Sequence, residues 1–264
     1  MNTLLRKIIP VLAACASLAA GPALAGASGA TSIGNVTFGV IDLTPQDGAN
    51  AGYVIDSFES RLMVYTDTGN TGGGFYPTTV TPPPYTAGNA QMAHSSATAG
   101  ATTTGAVGNV AAHATTGTAL GLDNMVSADS QQWIWLTLAP HTLLTVSGNV
   151  LTDATRSLDA GEGYGVFSWA SVDITDSEMH TFSYLSRESA LIRGEDTGAA
   201  SSSEFFTLAF ANPGATAMAV SVNFLAYTDI TVTAAVVPEP TTYAMLLAGL
   251  LLTGRAARRA GRTS

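Results

Sequence analysis

The chain has 264 residues, enough for one domain of ordinary size or two small ones. Its net charge is −9, but the span from Gly26 to Val237 holds four arginines, no lysine and 18 acids, a net charge of −14. That balance argues against nucleic acid, whose phosphates need a positive footprint, and against adhesion to anionic lipid.

Met1 to Lys7 is short and carries Arg6 and Lys7, and Ile8 to Ala20 is apolar. Ala23 and Ala25 flank Leu24 in the small-x-small order that signal peptidases cleave, so residues 1–25 are expected to be a helical signal peptide and the mature chain to begin near Gly26. Leu12-Ala13-Ala14-Cys15 offers a second reading, a lipoprotein box with Cys15 acylated, although the apolar run continues past it. Cys15 is the only cysteine, so cleavage at Ala25 leaves a mature protein without disulfides or thiol chemistry.

Gly26 to Ser32 is small and polar and is expected to be a flexible lead-in. Ile33, Val36, Phe38 and Val40 mark a first strand, closed by the turn Pro45-Gln46-Asp47-Gly48. Tyr53 to Tyr65 is extended, with Phe58, Leu62 and Val64 on one face. The prolines between Phe75 and Tyr85 remove ladder donors and restrict that stretch to a loop or an edge. Residues 88–121 are rich in Ala, Thr and Gly, an insertion or a set of strands with small-residue faces.

From Gln131 the pattern sharpens. Ile134, Leu136 and Leu138 alternate with Trp133, Trp135 and Thr137, and Leu143 to Leu151 follows as a strand. Asp159 to Gly163 reads as a turn. Tyr164, Val166, Ser168, Ala170, Val172 and Ile174 share one face, with Phe167 and Trp169 on the other. Met179 to Ser186 is a further strand and Leu191 to Ser203 a loop. Phe205 to Phe210 and the run from Ala217 to Ala235 are joined by Asn212-Pro213-Gly214, the signature of a hairpin. Residues 26–235 therefore predict an all-β domain, a β-sandwich or jelly roll.

Chemistry is sparse. His94, His113, His141 and His180 are scattered, and the body has no cysteine, so no zinc-ligand spacing exists and no metal or cofactor is expected. No G-x-S-x-G elbow is present. Asp173, Asp176 and Glu178 cluster, as do Glu188, Glu195 and Asp196, and both groups read as solvated loop acids. Trp133, Trp135 and Trp169 in alternating strands are ordinarily core. Exposed together on one face, they would instead stack on pyranose rings.

The last 29 residues form three blocks: Val237-Pro238-Glu239-Pro240, the apolar run Thr241 to Thr253, and a basic end with Arg255, Arg258, Arg259 and Arg262. The prolines make a stiff non-helical spacer, and the arginines suit the cytoplasmic side of a membrane. As a helix the apolar run spans about 20 Å at ~1.5 Å per residue, short of a hydrocarbon core of roughly 30 Å, so Arg255 must snorkel or Val236 and Val237 must contribute. The segment 236–264 resembles the PEP-CTERM sorting signal of exported bacterial proteins. Pro238, Glu239 and Pro240 match its motif, Gly249 its small residue, and Arg258 with Arg259 its terminal basic pair. The resemblance implies export, membrane arrest by the C-terminal helix, processing by an exosortase, and association with exopolysaccharide or biofilm matrix. The expected function is thus a non-enzymatic protein of the envelope or cell surface. The alternatives are a carbohydrate-binding module and a secreted polysaccharide-active enzyme.

Overall fold

The computed structural model describes residues 26–48, 50–67, 76–94, 97–117, 124–157, 162–178, 182–192 and 198–234. The expected signal helix (1–25) and the C-terminal segment (236–264) lie outside them. None of the described residues is helical. Twelve strands follow in order: β1 (Ala27–Asp42), β2 (Tyr53–Asp67), β3 (Tyr76–Val80), β4 (Gly88–His94), β5 (Ala97–Thr103), β6 (Val110–Thr116), β7 (Asn124–Leu138), β8 (Thr142–Arg156), β9 (Glu162–Asp176), β10 (Phe182–Leu191), β11 (Ala199–Asn212) and β12 (Met218–Ala234).

They form two six-stranded sheets, β11-β8-β1-β6-β5-β4 (sheet A) and β10-β9-β12-β7-β2-β3 (sheet B). All pairs are antiparallel. The sheets stack face to face in matching order, β11 over β10 at one side and β4 over β3 at the other, giving a β-sandwich. Its core is the set of inward residues that alternation supplies, such as Ile134, Leu136, Val172, Ile174, Val222, Phe224 and Ile230.

Two bulges explain breaks in that alternation. In β1 the register shifts between Gly34 and Thr37, with Asn35 at φ 54°, so that Ile33 and then Val36 and Phe38 point inward despite the odd spacing. In β2 the shift falls between Ile55 and Ser57 and makes Asp56 the extra residue.

Four expectations are corrected. Gly26–Ser32 is mostly strand: residues 27–33 lie between β6 and β8 in the middle of sheet A. Gly29 is small because a Cβ there would run into the hydroxyls of Thr228 and Ser168. Leu191–Ser203 is not one loop, since β10 runs to Leu191 and β11 begins at Ala199. Of the turn expected at Asp159–Gly163, Glu162 and Gly163 belong to β9, and residues 159–161 lie outside the described residues. Asn212-Pro213-Gly214 does not close a hairpin, because β11 and β12 belong to different sheets. Asn212 is buried there, and its amide donates to the carbonyls of Leu138, Ala139 and Thr216, which fixes the crossing. The Ala/Thr/Gly tract forms β4, β5 and β6, with Ala97, Ala99, Ala101, Ala112 and Ala114 in the core. The proline-rich stretch supplies β3, an edge strand.

Gln132 is wholly buried. Its amide nitrogen donates to Thr103 Oγ1 (2.8 Å) and Ala106 O (3.1 Å), and its oxygen accepts from Gly108 N (2.7 Å). A residue of sheet B thus holds the β5–β6 turn of sheet A, where Gly105 and Gly108 take positive φ.

Replacing Gly29 by Val is expected to cost about 1–3 kcal/mol through overpacking. Ala30→Val, on the opposite face of β1, should stay within about 0.5 kcal/mol. Urea midpoints of the two variants check this.

Candidate functional site

Alternation that buries the even-numbered residues of β7, β9 and β12 necessarily turns the odd ones outward. Trp133, Trp135 and Trp169 are all odd, and all three stand on the outer face of sheet B rather than in the core. Two of the three line one depression of about 590 Å³ near the β7–β8 end of the sandwich. Trp135 is 39% exposed and Trp133 half-buried. Trp169 is tied elsewhere: its indole nitrogen donates to Ser186 Oγ at 2.7 Å.

Register places the rest. One row across the sheet runs Phe182, Thr175, Ser221, Trp135, and the next runs Tyr184, Asp173, Asn223, Trp133. Aromatic side chains therefore stand at both sides of a polar strip. Phe182 is 74% exposed and lines the depression with Trp133, Trp135, Asp56, Asp173, Thr175, Asp176, Ser221 and Asn223. Tyr184, also exposed, shares the face.

The polar strip is organised by a chain of hydrogen bonds over four strands. Arg61 donates to Gln131 Oε1 (3.1 Å), Gln131 Nε2 to Asn223 Oδ1 (3.2 Å), and Asn223 Nδ2 to Asp173 Oδ1 (3.0 Å). A cation at one end and a carboxylate at the other give the chain one direction and fix both amide orientations. The Arg61 guanidinium also lies over the Trp133 ring, 5.2 Å from its centroid, so one ring face is already covered. Asp56, re-aimed by its bulge, accepts from Thr137 Oγ1 at 2.7 Å. Burial pushes the Asp173 carboxyl above its ordinary range, against the hydrogen bonds from Asn223 and Thr175.

A second polar group lies further along the same face, away from the depression. Tyr227 stands opposite Asp129, Asp229 opposite Ser127, and the Tyr227 and Tyr65 hydroxyls are 3.3 Å apart. Burial pushes the carboxyls of Asp129 and Asp229 up to about 6, opposed at Asp129 by the Arg61 charge and at Asp229 by the Tyr227 hydroxyl. Asp129 Oδ1 is buried without a hydrogen-bond partner, so only the Arg61 charge offsets its desolvation.

Among the described residues no group of three or more His, Cys, Asp or Glu side chains is placed to hold a metal ion. Asp173 and Asp176, expected on loops, belong to β9. Sequence reasoning named the tryptophans but not Asp56, Asn223, Phe182 or Ser221. These come from three other strands; outward parity along β10 and β12 could have singled out Phe182, Ser221 and Asn223, but Asp56 is turned outward by a bulge that alternation does not record. The sorting residues Pro238, Glu239 and Pro240, the arginines 255, 258 and 259, and the cleavage residues Ala23 and Ala25 lie outside the described residues.

No protein-family model matches the chain, and no curated protein matches it. Among solved structures it is similar to one described as the structural basis for the promiscuous specificity of the carbohydrate-binding modules from the beta-sandwich super family. The identity is 12%, over 78% of this chain and 98% of that one, with a TM-score of 0.08. A score so low carries no argument about fold or ligand.

The buried carboxyls set a pH dependence. Asp129 and Asp229 hold a proton more tightly when folded than unfolded, so the folded state carries more protons between about pH 4 and pH 6. Their contribution to stability therefore falls as pH rises through that window. Lowering the pH from about 7 to about 5 should raise the thermal midpoint by at least about 2–4 °C, the shift that ~1 kcal/mol produces in a domain of this size. Asp129→Asn should raise the midpoint at neutral pH and flatten the profile.

Proposed function

We propose that the chain is a non-enzymatic exported protein that binds polysaccharide through the outer face of sheet B and is delivered to the cell envelope by its C-terminal segment. The observation that carries the binding reading is the depression itself. Tryptophans that the strand pattern turns outward flank a strip of ordered amide, hydroxyl and carboxylate groups, with Phe182 across from them. Aromatic faces stack on the apolar faces of sugar rings, and the strip between them offers partners to ring hydroxyls.

Binding is favoured over hydrolysis by the spacing of Asp56 and Asp173, the two lining acids whose carboxylates are held in the polar network. Asp56 is on β2 and Asp173 on β9, three strands apart in the sheet. Three interstrand gaps are about 14 Å. Paired glycosidase carboxyls sit roughly 5–9.5 Å apart. Each acid also has a hydrogen-bonded partner that holds it.

The placement of the chain ends supports delivery to a surface. β12 ends at Ala234, and the chain continues from there into the segment that resembles a sorting signal. Ser221, in the depression, lies 13 residues back along the same strand, roughly 40 Å at ~3.3 Å per residue. Ala27 pairs with Arg156, beside the Ala234 end, so the site lies at the end of the sandwich away from both termini of the domain.

Trp135→Ala is expected to weaken polysaccharide binding more than about tenfold, as loss of a central aromatic anchor does. Trp169→Phe should leave it unchanged. Affinity electrophoresis against a panel of soluble polysaccharides measures both, and equal retardation of wild type and Trp135→Ala by every member would reject the site. For the tail, replacing Pro238, Glu239 and Pro240 by alanine should abolish surface delivery on cell fractionation. Unchanged processing and delivery would reject the sorting role.

A further inference from the structure

We infer that the free edge of β11 is an interface for a second copy of this chain, paired antiparallel about a two-fold axis at Phe205.

Four strands end the two sheets: β11 and β4 in sheet A, β10 and β3 in sheet B. An edge strand leaves alternate N–H and C=O groups unpaired, and proteins ordinarily blunt such edges with short length, proline, charge or a bulge. β3 has five residues and contains Pro77, β4 has seven residues, and β10 carries Arg187 and Glu188. β11 is the exception. It has 14 residues without proline or lysine, and β8 opposes it from Ala199 to Asn212 with no bulge. Its one charged residue, Glu204, is paired with Arg187 at 2.8 Å. Among the described residues no strand bonds to its other side.

The side chains select the occupant. Phe206 and Phe210 point into the core, so the odd-numbered residues of β11 form its outer row. That row reads nearly the same in both directions, one large apolar residue flanked by small ones. Turned about Phe205 it meets its own copy as Ser203 with Thr207 and Ser201 with Ala209, and only alanine lies beyond. A two-fold interface requires that when i faces j, j also faces i, and this row satisfies it. Phe205, 68% exposed in the single chain, then packs against the same side chain of the second copy.

Hydroxyl pairs of the Ser203–Thr207 kind already join strands on this outer face. Ser28 meets Thr155 at 2.6 Å, Thr37 meets Ser147 at 2.8 Å and Thr98 meets Thr115 at 2.7 Å, each between directly opposed residues. The two-fold axis adds two more of the same kind. Because the axis is perpendicular to the sheets, both copies of sheet A lie in one layer and both outer faces of sheet B look the same way. One polymer can then engage two depressions. That consequence rests on the glycan-binding reading; the pairing does not.

The test is the molar mass of the full-length protein by light scattering over a dilution series. The wild type should be a dimer that dissociates on dilution. Phe205→Lys and Phe205→Glu each set like charges across the axis and should raise the dissociation constant about tenfold or more. An equal mixture of the two variants opposes unlike charges and should restore the dimer, which also shows that both variants fold. A wild type that is monomeric at every concentration overturns the inference. So does association that both single variants leave unchanged, which places it at another surface such as the apolar run Thr241 to Thr253. Failure of the mixed variants to associate overturns it as well. No glycan enters these measurements, so their outcome is separate from that of the site on sheet B.

Discussion

The two sheets of this protein are stitched to each other by short polar side chains, and the rest of the architecture depends on that contact. Thr31 Oγ1 reaches from sheet A to donate to Tyr227 O in sheet B at 2.9 Å, and Ser168 Oγ reaches back to Asp153 O at 2.7 Å. Thr152 meets Ser189, Ser130 meets Thr102 O, and Gln132 meets Thr103 and Ala106. Side chains this short bridge two sheets only where the backbones approach more closely than the usual ~10 Å. Close approach is why Gly29 and the alanines of β5 and β6 are small. These hydroxyls are dry, and the partners they find fix which residue faces which. The described residues, which include no cysteine, obtain their registration in this way.

The candidate site is the reverse side of the same constraint. Residues that pack inward in β7, β9 and β12 leave the intervening positions pointing away from the core, and there the chain has placed Trp133, Trp135, Asp173 and Asn223. The bulge in β2 interrupts the alternation once, at Asp56, and so adds a carboxylate that strict alternation would have placed differently. The chain of bonds from Arg61 to Asp173 then makes one object of side chains from four strands. Rigidity in the strip comes from the sheet, which carries every member on paired backbone.

The strands with large inward residues were legible in the sequence because period two is a strong signal: β9 shows it from Tyr164 to Ile174 without a break. The strands made of small residues were not. Gly29, Ala97 and Ala99 give a weak hydrophobic pattern, since their role is proximity and not bulk. The turn at Asn212 reads locally as a hairpin because turn chemistry does not say which sheet receives the next strand. The side of the sheet on which each tryptophan falls could be read from parity. That they meet Phe182 and Asp56 depends on pairing between strands far apart in the chain, which no local pattern records.

The position of β12 has a mechanical consequence. This 17-residue strand is bonded along its length to β9 on one side and β7 on the other, in the middle of sheet B. A pull applied beyond Ala234 runs parallel to the strand and loads both ladders in shear, so their bonds must yield together and not one at a time as in an unzipped hairpin. With no edge strand in the line of force, a domain tethered through this end and gripping a polymer at the other would carry tension through its strongest element.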